Sequence, residues 1–294
     1  MKLECLPLTS LLSLRSAAAV SRPLIRYGDC DPLPLGSGPT ISPNTPSAFV
    51  NATIFSDILS GAPTPAGYHL TYQNRQATSK AYGYGGFQAL TTGPGCSGFN
   101  IYFERSPSLR PAALYPNPNS TTTIKCVFWG GYLGDENNLN TGFTNHNFQY
   151  VVAGSNAYMK TTAVQVPGFT GAAIGNHTIN APLNCLGEDR FMGARMFSSS
   201  YYDPNLCATA CASQNDYNKQ HPPSSGEPQI CVFFASYLVA INGQPQGQYC
   251  ALYSGSWNAT YATHDVQYRG NDRYTNTYGF IYTDNNYTGN PTCP

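Results

Sequence analysis

The chain has 294 residues, with 15 basic and 15 acidic side chains and no net charge. That length holds two ordinary domains or one large one, and the lack of a basic field excludes nucleic acid as a partner. With 22 Tyr, 28 Gly and 23 Pro, the composition is that of a turn-rich β protein and excludes a helical bundle.

The first segment, MKLECLPLTSLLSLRSAAAVSRP, places Lys2 ahead of an apolar stretch from Leu3 to Leu14, with small residues from Ser16 to Ser21. This is the layout of a secretory signal peptide over residues 1–21, cleaved after Ala19 or Ser21. No later stretch approaches the ~20 apolar residues that cross a bilayer, so no membrane span is expected. Residues 22–51 form a Pro/Gly-rich arm, and DPLPLGSGPTISPNTPSA (31–48) is expected to be extended.

A first β-rich unit is expected over 52–165. CSGFNIYFER (96–105), IKCVFWGGY (124–132) and FQYVVAGSNAYMK (148–160) are strand-like, and SPSLRPAALYPNPNSTTT (106–123) reads as a long surface loop.

The second unit, 166–294, holds six of the ten cysteines. Asp203 is a good N-cap and Pro204 suits a first turn, so a helix is expected from 204 to 217. It places Cys207 and Cys211 one turn apart on one face. After the loop KQHPPSSGEP come two β-rich runs flanking Asn242-Gly243, a hairpin signal. A two-residue turn puts Cys250 opposite Ala235 and gives Cys231 and Cys250 a common face, ~13 Å apart along the strand. The helical pair is only ~6 Å apart, a difference that an oblique helix or a longer loop reconciles. Cys207–Cys250 and Cys211–Cys231 are the favoured staples, although four cysteines allow three pairings. Cys185 and Cys293 bracket the unit and are placed to tie its ends. No His lies close to either helical cysteine and the spacing is C-x3-C, so zinc and redox roles fit less well than staples. Loss of Cys5 with the signal leaves nine cysteines, hence at least one free or intermolecular thiol. The partner of Cys30 is undefined.

The halves parallel one another. CSGFNIYF…IKCVFW matches CVFFASYL…QYCALY: a cysteine opens an aromatic strand, then a second cysteine precedes an apolar–aromatic run. The C-x3-C helix has no counterpart in the first half, where AYGYGGFQALTTGPGC (81–96) takes its place.

A C-x3-C helix, a strand cysteine, a hairpin cysteine and an outer bracketing pair together resemble the PAN/Apple module. CSGFNIYFERSPS, IKCVFWGG, VVAGSNAY, GQYCALYSGSWNATYAT and QYRGNDRYTNTYGFIY resemble more closely a group of secreted proteins of filamentous fungi in which two such units run in tandem. The resemblance implies an α+β fold of two PAN/Apple-like units, each an antiparallel sheet, the second crossed by a disulfide-stapled helix and the first degenerate. It also implies Cys207, Cys211, Cys231 and Cys250 as hairpin staples, Cys185 and Cys293 as the end-to-end pair, and protein or carbohydrate ligands at a cell wall or host surface. The first unit departs from the pattern: the helical pair is absent and Tyr115 stands where a cysteine is expected. Cys96 and Cys126 then pair with each other or stay single.

Chemistry is sparse. His69, His146, His177, His221 and His264 are scattered, and there is no G-x-S-x-G elbow or phosphate-binding glycine motif. Asp135, Glu136, Glu104, Glu188 and Asp189 are the acidic candidates, but nothing in their spacing selects the facing pair that a glycosidase needs. No metal or cofactor is expected. Aromatics remain. Tyr253, Trp257, Tyr261 and Tyr268 lie among Asn, Thr and Gly and are the candidate ligand-binding residues, since flat rings bordered by amides suit sugar faces and protein hot spots. Trp257, in a Gly/Ser/Asn loop, is expected to be exposed; the competing reading packs these rings in the sheet. Sequons at Asn51, Asn119, Asn176, Asn258 and Asn286 are candidate glycosylation sites, and a glycan on Asn258 would mask Trp257. The expectation is a secreted, non-enzymatic binding protein for an extracellular glycan or protein. A hydrolase with a loop-built acidic site and a structural wall protein are the alternatives.

Overall fold

Aromatic and β-branched runs fold as strands, and a computed structural model, which describes residues 32–79, 97–130, 132–135, 138–198 and 202–290, sorts them into two large antiparallel sheets and two two-stranded ribbons. Helices α1 (Pro46–Val50) and α2 (Thr53–Ser60) come first. The first half then supplies β1 (Tyr68–Arg75), β2 (Thr78–Ser79), β3 (Gly98–Pro107), β4 (Ser120–Trp129), β5 (Asn138–Asn140), β6 (Gly142–Asn145) and β7 (Phe148–Lys160). The second half supplies β8 (Phe169–Gly175), β9 (Thr178–Ile179), β10 (Phe191–Phe197), α3 (Pro204–Gln220), β11 (Phe233–Ile241), β12 (Gln244–Tyr253), β13 (Ala262–His264), β14 (Val266–Arg269) and β15 (Asp272–Asp284).

The halves repeat one another in topology. The first sheet runs β1-β7-β3-β4 with β6 on β7; the second runs β8-β15-β11-β12-β10 with β14 on β15. From β4 onward the strands correspond at a constant offset of 124 positions: Ser120 to Gln244, Asn138 to Ala262, Gly142 to Val266 and Phe148 to Asp272. Small ribbons correspond too, β2 pairing β5 as β9 pairs β13. Within the sheets Phe99 stacks on Tyr158 at 4.9 Å and Phe234 on Tyr282 at 4.8 Å, both at equivalent positions. Gly154 and Tyr278, also equivalent, both sit at φ 54°, beside the same bulge in each sheet. Among the described residues, β10 and α3 have no counterpart in the first half.

Asp203 caps α3 by accepting from the Asn205 backbone N–H, and the helix continues to Gln220, beyond the expected end at 217. It lies across β11 and β12, where Cys207 bonds Cys250 and Cys211 bonds Cys231, with Cα separations of 5.3 and 5.5 Å. The expected register is corrected by one residue. Ile241 faces Gln244 and Ala240 faces Pro245 as a two-residue turn dictates, but a bulge after Val239 puts Cys250 opposite Ser236, not Ala235. An inserted residue shifts every pair beyond it. Cys231 precedes β11 and sits outside the strand itself. Cys126 and Cys185 are also disulfide-bonded; Cys5, Cys30, Cys96 and Cys293 lie outside the described residues, as do the signal segment and residues 81–96.

The arm is not extended to its end. Thr45 caps α1, with Pro46 in its first turn, and Gly36 and Gly38 donate to Thr121 and Thr122 on the outer edge of β4. Covering that edge removes a free row of backbone groups. The loop expected over 106–123 is shorter, since β3 runs to Pro107 and β4 begins at Ser120.

One buried cluster joins the halves. Leu133, Ala157 and Met159 of the first pack with Val166, Tyr202, Phe234, Tyr282 and the stapled cysteines of the second. Tyr202 also donates its backbone N–H to Gly130 O at 3.0 Å.

Candidate functional site

A recess of about 380 Å³ opens at one end of the second sheet, walled by the segment before β10, the loop after β12 and the C-terminal segment. Its volume falls in the range of small-ligand sites. Each wall is held by its own polar residues. Asn184 Oδ1 accepts from the Leu186 and Glu188 backbone N–H groups at 2.9 and 2.8 Å, closing one loop. Ser254 N–H donates to Arg190 O at 3.0 Å, and Arg190 Nη1 donates to Ser254 O at 3.3 Å, clamping the second wall to the first. Asn290 accepts from Ser256 N–H at 3.0 Å and donates to Ser256 O at 2.7 Å, fixing the third. Gly255 stands where these meet: a Cβ there would lie 2.7 Å from Asn290 Oδ1 and 2.8 Å from Arg190 Cδ.

Trp257 corrects the expectation of an exposed contact. It is only 6% exposed, its ring edge-on to Phe233 at 5.8 Å and to Tyr253 at 5.5 Å. The loop does carry it, but a large apolar ring beside an open sheet face gains more by covering that face than by staying in water. It still lines the recess. Tyr253 is corrected likewise: it is buried in the same cluster, and burial pushes its hydroxyl well above the usual tyrosine value. Tyr261 is exposed and lines the recess. Tyr268 is exposed on β14, opposite Arg273, ten residues along β15 from the Thr283 that hydrogen-bonds Ser256, hence ~30 Å away. The four candidates therefore do not share one surface; Trp257 and Tyr261 do. Arg190, Asn184, Ser256 and Asn290 complete the site, and their sequence contexts carried no motif that marked them.

The lining contains one cation, Arg190, and no carboxylate. The acidic candidates are not in that lining and have partners of their own. Asp135 receives Arg75 Nε at 2.9 Å, Glu104 pairs with Lys125 at 2.6 Å, Glu188 takes Asn184 Nδ2 at 2.9 Å, and Asp189 caps Phe191 N–H; Glu136 lies outside the described residues. Among the described residues no group of three or more His, Cys, Asp or Glu is disposed to hold a metal, and no helix is long and apolar enough to cross a membrane. Asn51, Asn119, Asn176, Asn258 and Asn286 are all exposed, and Asn258 lines the recess.

No family model, curated protein or solved structure matches the chain.

Proposed function

We propose that the chain is a secreted, non-enzymatic binding protein built of two PAN/Apple-like units, and that the recess of the second unit takes a carbohydrate of a cell wall or host surface. One observation carries the reading: Arg190, Asn184, Ser256, Asn258 and Asn290 line the recess together with Trp257 and Tyr261, with no carboxylate among them. The amide oxygens of Asn184, Asn258 and Asn290 are taken by the loops themselves, so the side chains offer N–H donors, the Arg190 guanidinium foremost, to the lone pairs of sugar hydroxyls, and the ring of Tyr261 offers an apolar face to the C–H side of a pyranose. The absent carboxylate pair weighs against the glycosidase alternative. The stapled α3 and the matched repeat support the PAN/Apple-like reading, and buried disulfides suit an oxidising compartment. The test is binding of the secreted, disulfide-intact chain to a panel of fungal and plant wall polysaccharides, with Tyr261→Ala and Arg190→Gln alongside. Saturable binding weakened by either substitution upholds the reading; binding indifferent to both sinks the recess as its site.

A second reading, a peptide ligand, is favoured by a groove of about 450 Å³ between α3 and the edge strand β10, lined by Phe197, Leu206, Ala210 and Tyr217. An extended segment laid on a strand edge gains backbone hydrogen bonds there. Loss of a protein partner on Tyr217→Ala, with glycan binding intact, would shift the function to this groove.

A further inference from the structure

The recess and one sequon share a residue. Asn258 lines the recess, and its Oδ1 accepts two hydrogen bonds from Thr260 of the same sequon, from the backbone N–H at 3.0 Å and the hydroxyl at 2.6 Å. That fixes the side chain by its oxygen at the start of a 3-10 turn (Ala259–Tyr261) and leaves Nδ2, the atom that carries a glycan, out of those two bonds. The other four sequon asparagines lie away from the lining: Asn51 caps the end of α1, Asn119 directly precedes β4, Asn176 follows β8 and Asn286 follows β15.

We propose that Asn258 is glycosylated and that the first sugars of its glycan occupy the recess, so the chain's own glycan is the resident ligand and controls access by free sugars. The modification joins Nδ2 to the anomeric carbon of an oligosaccharide. It breaks that carbon's bond to the oxygen of a lipid-linked pyrophosphate donor, and one Nδ2 proton passes to the departing pyrophosphate. The inference rests on the carbohydrate reading of the recess. A sugar rooted at Asn258 starts among the lining residues Trp257, Tyr261, Arg190, Ser256 and Asn290. Tethering supplies a local concentration in the millimolar range or above. A free oligosaccharide that binds weakly must compete against it, whereas the unmodified recess is open.

The experiment compares the full chain secreted from a glycosylating host with Asn258→Gln and with Thr260→Val, which removes the acceptor sequon but keeps Asn258. Site occupancy is read by mass spectrometry, glycan release by an endoglycosidase on native and denatured protein, and binding of chitobiose by calorimetry; chitobiose is the disaccharide that also begins an N-linked glycan. The expected result is a glycan at Asn258 released at least about tenfold more slowly from native than from denatured protein, and chitobiose binding at least about tenfold tighter in both variants than in the wild type. An unoccupied Asn258, or a glycan released equally fast from both forms, overturns the inference. If release is equally fast and chitobiose binds all three proteins alike, the inference fails while the recess stands as a sugar site. Slow release with no uptake of chitobiose by either variant upholds the resident glycan and sinks the free-ligand reading.

Discussion

Trp257 looks from its neighbours Ser256 and Asn258 like a surface contact, yet its ring closes the far face of the second sheet over Phe233 and Tyr253. Truncating it removes core, so Trp257→Ala is expected to cost about 3–5 kcal/mol, read as a lower denaturant midpoint at unchanged slope. Tyr261→Ala, at an exposed ring, is expected to shift stability by no more than about 0.5 kcal/mol while weakening sugar binding. A Trp257→Ala protein as stable as the wild type would mean that the ring serves the ligand and not the sheet. A second residue-scale contrast sits at the bulge. Gly154 and Tyr278 share φ 54°, but a Cβ on Gly154 would lie 2.7 Å from Leu59 Cδ1 and 3.0 Å from Phe55 Cβ, because α2 packs on that spot. Where no such helix presses, Tyr278 tolerates the backbone and places its ring against Tyr202 and Phe280. Gly154→Ala should therefore destabilise by about 1–3 kcal/mol, checked by urea unfolding, and the smaller Leu59→Ala background should relieve the steric part of that cost.

At the scale of elements, α3 was legible because its start is chemical: Asp203 caps it, Pro204 opens it, and the four-residue spacing of Cys207 and Cys211 fits a helical face. The hairpin turn was legible from Asn242-Gly243, and the bulge after Val239 had a signal in Pro245 and Gly247, since proline and glycine inside a strand often sit at a bulge and the register shifts between these two residues. Helix α1 was missed because PNTPSA carries two prolines and reads as an arm, although Thr45-Pro46 is also a cap followed by a first-turn proline. The site was half legible. Aligning the repeats places Leu133 at the position of Trp257, and Leu133 is fully buried; that alignment was a signal that the indole belongs inside. Arg190 and Asn290 come together only through loop closure, which no local pattern encodes. The two staples differ in what they hold. Cys207–Cys250 closes 43 positions and Cys211–Cys231 closes 20, so chain entropy gives the first the larger share, each within about 2–5 kcal/mol. Replacing Cys207 and Cys250 by Ala should lower stability more than replacing Cys211 and Cys231, measured on secreted protein under one denaturant. Equal losses would place the effect in native packing, because all four sulfurs are buried.

Buried tyrosines are spread over both sheets, and Tyr72, Tyr202, Tyr278 and Tyr282 lie in the cluster that joins the halves. Burial raises Tyr102 of the first sheet to about 12 and pushes Tyr202 and Tyr237 well above the ordinary value, with Tyr253 and Tyr282 raised by the same cause. In the unfolded chain each ionises near its reference value of about 10. Between there and the folded values the native state holds protons that the unfolded state has lost, so stability falls as pH rises; below pH ~10 both states are protonated and the contribution is complete. Tyr202 and Tyr282 lie in the cluster that also holds Ala157 and Met159 of the first sheet, so ionising one half should loosen the other. The expected outcome is that exposed tyrosines titrate first, and the buried ones appear together in one steep step of tyrosinate absorbance that coincides with loss of β-sheet circular dichroism. Two separate steps would show that the halves unfold independently and that the shared cluster couples them weakly. A smooth titration of all 22 tyrosines with the sheet signal intact would show that the core admits hydroxide without opening.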